Sequence, residues 1–400
     1  MNNEELKDKR VAVLLSGGVD SSVVVYELVS QGIRPDCFYI KIGPEDDLSV
    51  PHPDSLTSNL SSEGWDCSME EDMEMATAVA AKYGCSLEVV DCHREYWDQV
   101  TRYTMEKVRA GLTPNPDVMC NRLIKFGAFH EKRGHDYDLI ATGHYAQTEE
   151  ECTINNAQCT MHNAQCSMFN VQLKWLCTSP DPVKDQTDFL AQIYDWQLQK
   201  AIFPIGHYMK DEVRQIAERE HLVSARRKDS QGICFLGKLN YNDYVRRYLG
   251  EQPGDVIELE TGRRVGEHKG LWFHTIGQRK GMGFSGGPWF VVKKDVAQNI
   301  LYVSHGYDPA SAYKQDFPIH DFHALTLPLE EILNSQQSGP NVTIKIRHTP
   351  GYLPATLEPQ GDRCYVVHAE QPIHGVAPGQ FCVVYDACHH RCYGSGEITV

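Results

Sequence analysis

Between Val11 and about Thr142, short apolar runs rich in β-branched residues alternate with longer stretches in which apolar side chains recur every three or four positions. The runs Val11–Leu15, Cys37–Lys41, Ser86–Asp91 and Asp138–Thr142 read as strands, and Ser21–Gln31, Glu70–Lys82, Glu95–Ala110 and Asp117–Lys132 as amphipathic helices. The last two helices stop near Gly111 and Gly134, where a left-handed residue commonly ends a helix. A further helix, Lys210–Glu220, follows the turn at Phe203, Pro204, Ile205 and Gly206. Strands alternating with helices in this way predict a parallel sheet covered on both faces, an α/β domain.

After about Leu239 the period changes. Val256–Glu260, Trp289–Lys293, Ile300–Ser304, Val342–Arg347, Cys364–His368 and Phe381–Tyr385 are short and separated by Gly and Pro, which predicts two small mainly-β domains. The expected division is 1–238, 239–307 and 308–400, with Asp308–Gly339 a connection containing a short helix at Leu329–Leu333. Two stretches fit neither pattern. Gly43–Gly64 is rich in Pro, Ser and acidic residues and reads as a loop, and Asn156–His162 is nearly repeated by Asn163–Phe169, an expanded surface loop.

Composition narrows the class. The chain has 400 residues, 41% of them hydrophobic, which excludes a disulfide miniprotein and a mainly disordered chain. A formal net charge of −16 excludes nonspecific coating of DNA but leaves room for RNA, which needs only local basic groups such as Arg226, Arg227 and Lys228. No apolar run approaches the roughly 20 residues that span a bilayer, so no membrane partner is expected and the chain reads as cytoplasmic. In that compartment the 14 cysteines are thiols. Cys388, His389, His390 and Cys392 lack a second pair at finger-like spacing, and no metal site is expected there.

Leu14, Leu15, Ser16, Gly17, Gly18, Val19, Asp20, Ser21 and Ser22 join the first strand to the first helix. Adjacent glycines let the backbone approach a ligand, the helix N-terminus carries positive potential, and three serine hydroxyls add donors: together a phosphate cradle. Asp20 is a candidate for Mg2+ at the pyrophosphate. The P-loop lysine is missing, so cleavage between the β and γ phosphates is not favoured.

Two cysteines stand out by their surroundings. Asn115 is placed to cap a helix beginning at Pro116, with Cys120 in its first turn, where the helix dipole favours the thiolate. Cys234 follows Gly232 and the basic run Arg226–Lys228, in a glycine loop able to bring it to a distant partner.

The loop at Ser16–Ser21 resembles the pyrophosphate loop of N-type ATP pyrophosphatases, whose domain has the fold of the adenine nucleotide alpha hydrolases. Adding Asn115–Cys120, Ala141–Tyr145, Lys184–Gln186, Gly232–Cys234, His274–Gly281 and Pro378–Gln380, the whole chain resembles the tRNA-specific 2-thiouridylase family. The resemblance implies ATP-dependent thiolation of a wobble uridine, with release of AMP and pyrophosphate, and a persulfide carrier protein as sulfur donor. It assigns ATP to Leu14–Ser21, Ile40 and Gly143. It places the target uracil among Asn115, Pro116 and Asp117, with Asp117 a proton-transfer group. Further tRNA contacts fall to His144, Lys184, Asp185, Gln186, Arg347, His348 and Gln380. Cys234 carries the persulfide and Cys120 is its partner nucleophile.

The chemistry is coherent in its own terms. A uracil C2 carbonyl has no leaving group until its oxygen is adenylated, after which a sulfur nucleophile can displace AMP. Leu14 and Leu15 depart from the family's glycine and methionine-like pair, Leu123 replaces an acid and His348 a tyrosine, which bears on nucleotide affinity and tRNA choice. The alternatives are another pyrophosphate-loop ligase, which needs no cysteine pair, and an inactive tRNA-binding paralogue.

Overall fold

The computed structural model describes residues 6–42, 66–154, 170–228, 241–306, 310–335 and 341–399. Strands β1 (Val11–Leu14), β2 (Asp36–Lys41), β3 (Leu87–Asp91), β4 (Leu139–Ala141) and β7 (Ala201–Ile202) form one sheet in the order β3-β2-β1-β4-β7. Every pairing in it is parallel, as the alternation of strand and helix predicts. One face buries Val13, Leu15 and Tyr39 under Val23, Val24 and Leu28 of the helix Val19–Ser30. The other buries Ala12, Phe38 and Ile140 under Ile124, Phe126 and Phe129 of a helical stretch over 116–132. The chain leaves β1 for β2 on one side and β4 on the other, so the order reverses at β1, and in open parallel sheets ligands bind at the carboxyl end of such a switch point.

Strands β8 (Gly254–Glu258), β9 (Arg264–His268), β10 (Trp289–Asp295) and β11 (Ile300–His305) make a four-stranded sheet around Val256, Leu271, Trp289 and Val303. The third unit is a barrel. β12 (Tyr313–Ala324), β15 (Cys364–His374), β14 (Leu353–Gly361), β13 (Asn341–Lys345), β16 (Phe381–Tyr385) and β17 (Arg391–Ile398) pair in that order, and β12 also pairs with β17, which closes the ring.

Two features differ from the sequence reading. Asp308–Gly339, expected to be a connection, contains the 12-residue barrel strand β12. Its Phe317 and Ile319 face the core at period two, but Pro318 and the acids at Asp316 and Asp321 disguise the alternation. Second, β5 (Gln147–Ile154) and β6 (Asn170–Cys177) form a hairpin that leaves the α/β domain and pairs with β17. The Asn156 repeat up to Phe169, the Gly43–Gly64 segment and Cys234 all lie outside the described residues.

The three units share buried joints. Tyr385, Cys392 and Leu325 of the barrel belong to the same apolar cluster as Phe38 and Ile140 of the parallel sheet. Lys345 Nζ meets Asp185 Oδ2 at 3.2 Å with both side chains at or below 1% exposure.

Candidate functional site

At the carboxyl end of β1 the chain turns through Gly17, whose φ of +77° suits glycine, and a Cβ there would collide with the Asp72 carbonyl oxygen. Gly18 caps the helix Val19–Ser30, whose first N–H groups have no intrahelical acceptor. The serines hold the turn's shape: Ser21 Oγ accepts from Ser16 N at 3.2 Å, and Ser22 Oγ donates to Gly18 O at 2.7 Å. Leu14 and Leu15 do not crowd the cradle, since Leu14 packs into the core on one face of the sheet and Leu15 on the other. Ile40, at the end of β2, is likewise buried beneath it.

Gly143 leaves β4 against this loop, where an added Cβ would lie 3.0 Å from Ser21 N. Two glycines thus keep backbone close to backbone at the switch point.

Sequence reasoning missed two cations here. Lys210, at the start of the helix Lys210–Arg219, reaches Asp20 Oδ1 at 2.7 Å and Oδ2 at 2.9 Å. Tyr145 O–H donates to the same carboxylate at 2.8 Å. Arg227, noticed only as part of a basic run, donates to the Gly17 carbonyl at 3.3 Å and pairs with Asp72. Burial raises the Asp72 pKa, with the guanidinium opposing. Both cations lie about 200 positions from the loop they serve, so no local pattern marks them.

The cysteine-bearing helix forms as expected. Asn115 Oδ1 accepts from the N–H groups of Asp117 and Val118 at 3.2 and 3.3 Å, and Pro116 opens the first turn. Beyond Cys120 the helix widens into a π stretch over Asn121–Ala128. Cys120 is 1% exposed and belongs to the same apolar cluster as Leu14 and Ile40. From this helix Lys125 Nζ comes within 3.4 Å of His144 Nε2, tying the cysteine's helix to the turn after β4. His144 is buried, and desolvation, followed by the Lys125 charge, drives its pKa far down, so its ring is neutral. Thr142 Oγ1 lies 2.8 Å from its Nδ1.

The remaining expected tRNA contacts divide in two. Asn115, Pro116, Asp117 and Gln380 converge on one cavity of about 360 Å³ at the junction of the three units. There Thr113 N donates to Pro378 O at 2.8 Å, and Gly379, at φ +90°, lets the barrel come close to Leu112 and Thr113. Asp185, by contrast, faces inward: besides Lys345 it accepts from Ser179 N, Thr187 Oγ1 and Tyr352 O–H. Gln186 bridges to the Tyr145 main chain, and Lys184 borders this loop half-buried. Arg347 donates to the Gly375 carbonyl, and His348 is exposed, lying on Phe189 with Nδ1 3.1 Å from Asp188. His390 and Glu149, with Cys177 nearby, form the one three-ligand cluster among the described residues, and Arg391 already neutralises that glutamate at 3.2 Å.

A glycine-serine cradle at the switch point of a parallel sheet, followed by two β units, defines an ATP-pyrophosphatase-like nucleotide-binding protein with appended β domains. Family models match in the same order: "tRNA methyl transferase HUP domain" over residues 9–238, "tRNA methyl transferase PRC-barrel domain" over 242–305 and "Aminomethyltransferase beta-barrel domain" over 325–398. The tRNA-specific 2-thiouridylase MnmA 1 of Bacteroides thetaiotaomicron is 53% identical over 97% of this chain and 99% of its own length. The tRNA-specific 2-thiouridylases MnmA of Porphyromonas gingivalis and Parabacteroides distasonis are 52% and 51% identical, each over 97% of this chain and 99% and 98% of their own lengths. The chain belongs to the tRNA-specific 2-thiouridylase family.

Proposed function

We infer that this protein replaces the C2 oxygen of a wobble uridine in tRNA by sulfur at the expense of ATP. The observation that carries this is full-length identity above half with relatives named for that activity, in a chain that builds the nucleotide cradle beside the cysteine-bearing helix. ATP lies in the loop Leu14–Ser21 with Gly143 and Ile40 around it, and Lys210 and Arg227 stand ready for its phosphates. Asp20, whose carboxylate engages Lys210, would hold the Mg2+ that accompanies ATP, and the ion would offset phosphate charge there.

The uracil, held by Asn115, Pro116 and Asp117, attacks the α-phosphorus through O2 and pyrophosphate departs. Asp117 takes up the proton of the ring nitrogen as negative charge moves onto O2. Cys234 presents the outer sulfur of a persulfide to C2, and AMP leaves with the former carbonyl oxygen. Cys120 attacks the inner sulfur, the S–S bond breaks toward the new thiocarbonyl, and a Cys120–Cys234 disulfide remains to be reduced. In the other order Cys120 first frees hydrosulfide, which then attacks C2. The burial of Cys120 means that the helix start must open for its thiol to meet another sulfur.

Because the reaction consumes one sulfane sulfur per turnover, a persulfide carrier protein must dock, and the reaction belongs to the cytoplasm, where tRNA and ATP meet. Among the described residues no helix is long and apolar enough to cross a membrane. The test is nucleoside mass spectrometry after incubation with unmodified tRNA, ATP and a persulfide donor. Appearance of 2-thiouridine with equal AMP and pyrophosphate is expected. A methylated nucleoside formed from a methyl donor, with no thiolated one, would instead vindicate the names of the domain models and overturn this reading.

A further inference from the structure

The cavity at the three-domain junction has a wall that the proposed contacts leave unused. One wall is the Asn115–Asp117 segment, and another is the barrel loop with Gln380. The wall opposite comes from the four-stranded unit and carries Trp272, His274 and Lys294, none of which the adenylation or sulfur-transfer steps use. At about 360 Å³ the space falls within the range of small-ligand sites, roughly 300–1,000 Å³.

Its polar groups are arranged for a guest. His274 is 8% exposed, and its Nδ1 has no hydrogen-bond partner among the described residues; the buried Gln380 Oε1 has none either. Buried polar atoms are rarely left so unless a ligand or water satisfies them. Desolvation, then the charges of His268 and Lys294, lower the His274 pKa to about 4, so the ring is neutral and offers one donor and one acceptor. Lys294 has no carboxylate partner among the described residues, and burial lowers its pKa to about 8, which an arriving anion would reverse. The Trp272 ring and Pro114 supply apolar surface between these groups. A cation, two base-edge hydrogen-bonding groups and flat apolar walls match a nucleotide: phosphate, base edge and base face.

We propose that this cavity receives a nucleotide adjoining the uridine to be thiolated, with Lys294 on its phosphate and His274 and Gln380 on its base edge. This rests on the tRNA reading, and it makes the four-stranded unit part of the device that selects which uridine reacts.

The test uses the full chain and three substitutions, Lys294→Met, Lys294→Arg and His274→Ala, with tRNA binding followed across salt concentration and thiolation followed separately. Lys294→Met should weaken tRNA binding about tenfold, chiefly as a rise in KM, and flatten the log–log salt slope by about 0.7, the single-strand value for one phosphate. Lys294→Arg should restore both, and ATP affinity should stay unchanged in all three variants. An abasic nucleotide beside the target should cost wild type several-fold in kcat/KM and cost His274→Ala almost nothing further. Unchanged affinity and slope in Lys294→Met would overturn the proposal, as would fully additive losses in the abasic experiment, which would mean that His274 touches no neighbouring base. Failure of wild type to form 2-thiouridine at all would instead overturn the proposed function, so the two failures read differently.

Discussion

In the proposed nucleotide site Lys210 would supply the positive charge that the loop's own sequence lacks, and it reaches Asp20 of the loop by folding rather than by proximity in the chain. Its side chain is largely buried against Asp20, so its removal leaves a carboxylate uncompensated beside the phosphates. Lys210→Met should raise the KM for ATP by about tenfold or more, with a smaller rise for Lys210→Arg, read by tRNA-dependent pyrophosphate release; an unchanged KM would remove Lys210 from the nucleotide site. Cys120→Ser conserves volume at a packed position and should melt within a few degrees of wild type, yet form no detectable 2-thiouridine; Cys234→Ser should behave likewise. Retained thiolation in either variant would rule out the two-thiol route. At this scale the sequence is most readable where function is local: the loop Ser16–Ser21 and the cap at Asn115 announce themselves, whereas Lys210 and Arg227 are surface-like cations until folding brings them home.

Elements were legible in proportion to how one-sidedly they are buried. Strands β1, β2 and β4, buried almost throughout, read as continuous apolar runs, whereas the edge strand β3 is mostly exposed. Strand β12 failed to read because polar residues occupy its outer face and Pro318 interrupts it, while the hairpin of β5 and β6 carries Glu149, Glu150 and Glu151 in succession. Its role is fixed by pairing with β17, a partner more than 200 residues away in sequence. Asp185 was expected to contact tRNA; its carboxylate is turned inward, where β13 delivers Lys345 into a site closed to solvent. Lys345→Met should therefore destabilise the protein by about 3–5 kcal/mol by leaving Asp185 charged and alone. Adding Asp185→Asn should return much of that loss in denaturant titrations; a single variant as stable as wild type would show that the pair is not a structural joint.

At the scale of the molecule the three units behave as one because their cores run together at the joints. Stability should carry the signature of His274. Its folded pKa of about 4 lies below the ordinary histidine value of about 6.5, so the unfolded chain binds the proton more readily. Stability contributed by the neutral ring is present above about pH 6.5 and is lost as pH falls toward 4, on the order of 2–3 kcal/mol across that window. His274→Gln should flatten this segment of the stability profile, and an equally steep profile would assign the dependence elsewhere. A chain cut after residue 306 would keep both earlier units but strip Tyr385 and Cys392 from the shared core and β17 from the hairpin. It should bind a hydrophobic dye and aggregate; a soluble, monomeric fragment with native-like melting would show that the joints are dispensable.

The hairpin's attachment to the last strand also sets a timetable for biosynthesis. Roughly 220 residues separate β6 from the end of β17. At about 5–20 residues per second the ribosome needs some 11–45 seconds to deliver the partner strand. For most of that interval β6 presents an unpaired edge carrying Trp175 and Leu176 on a nascent chain whose parallel sheet β7 has already completed. Translation speed through the second half of the message, and chaperone cover for that edge, therefore bear directly on how much active enzyme a cell obtains.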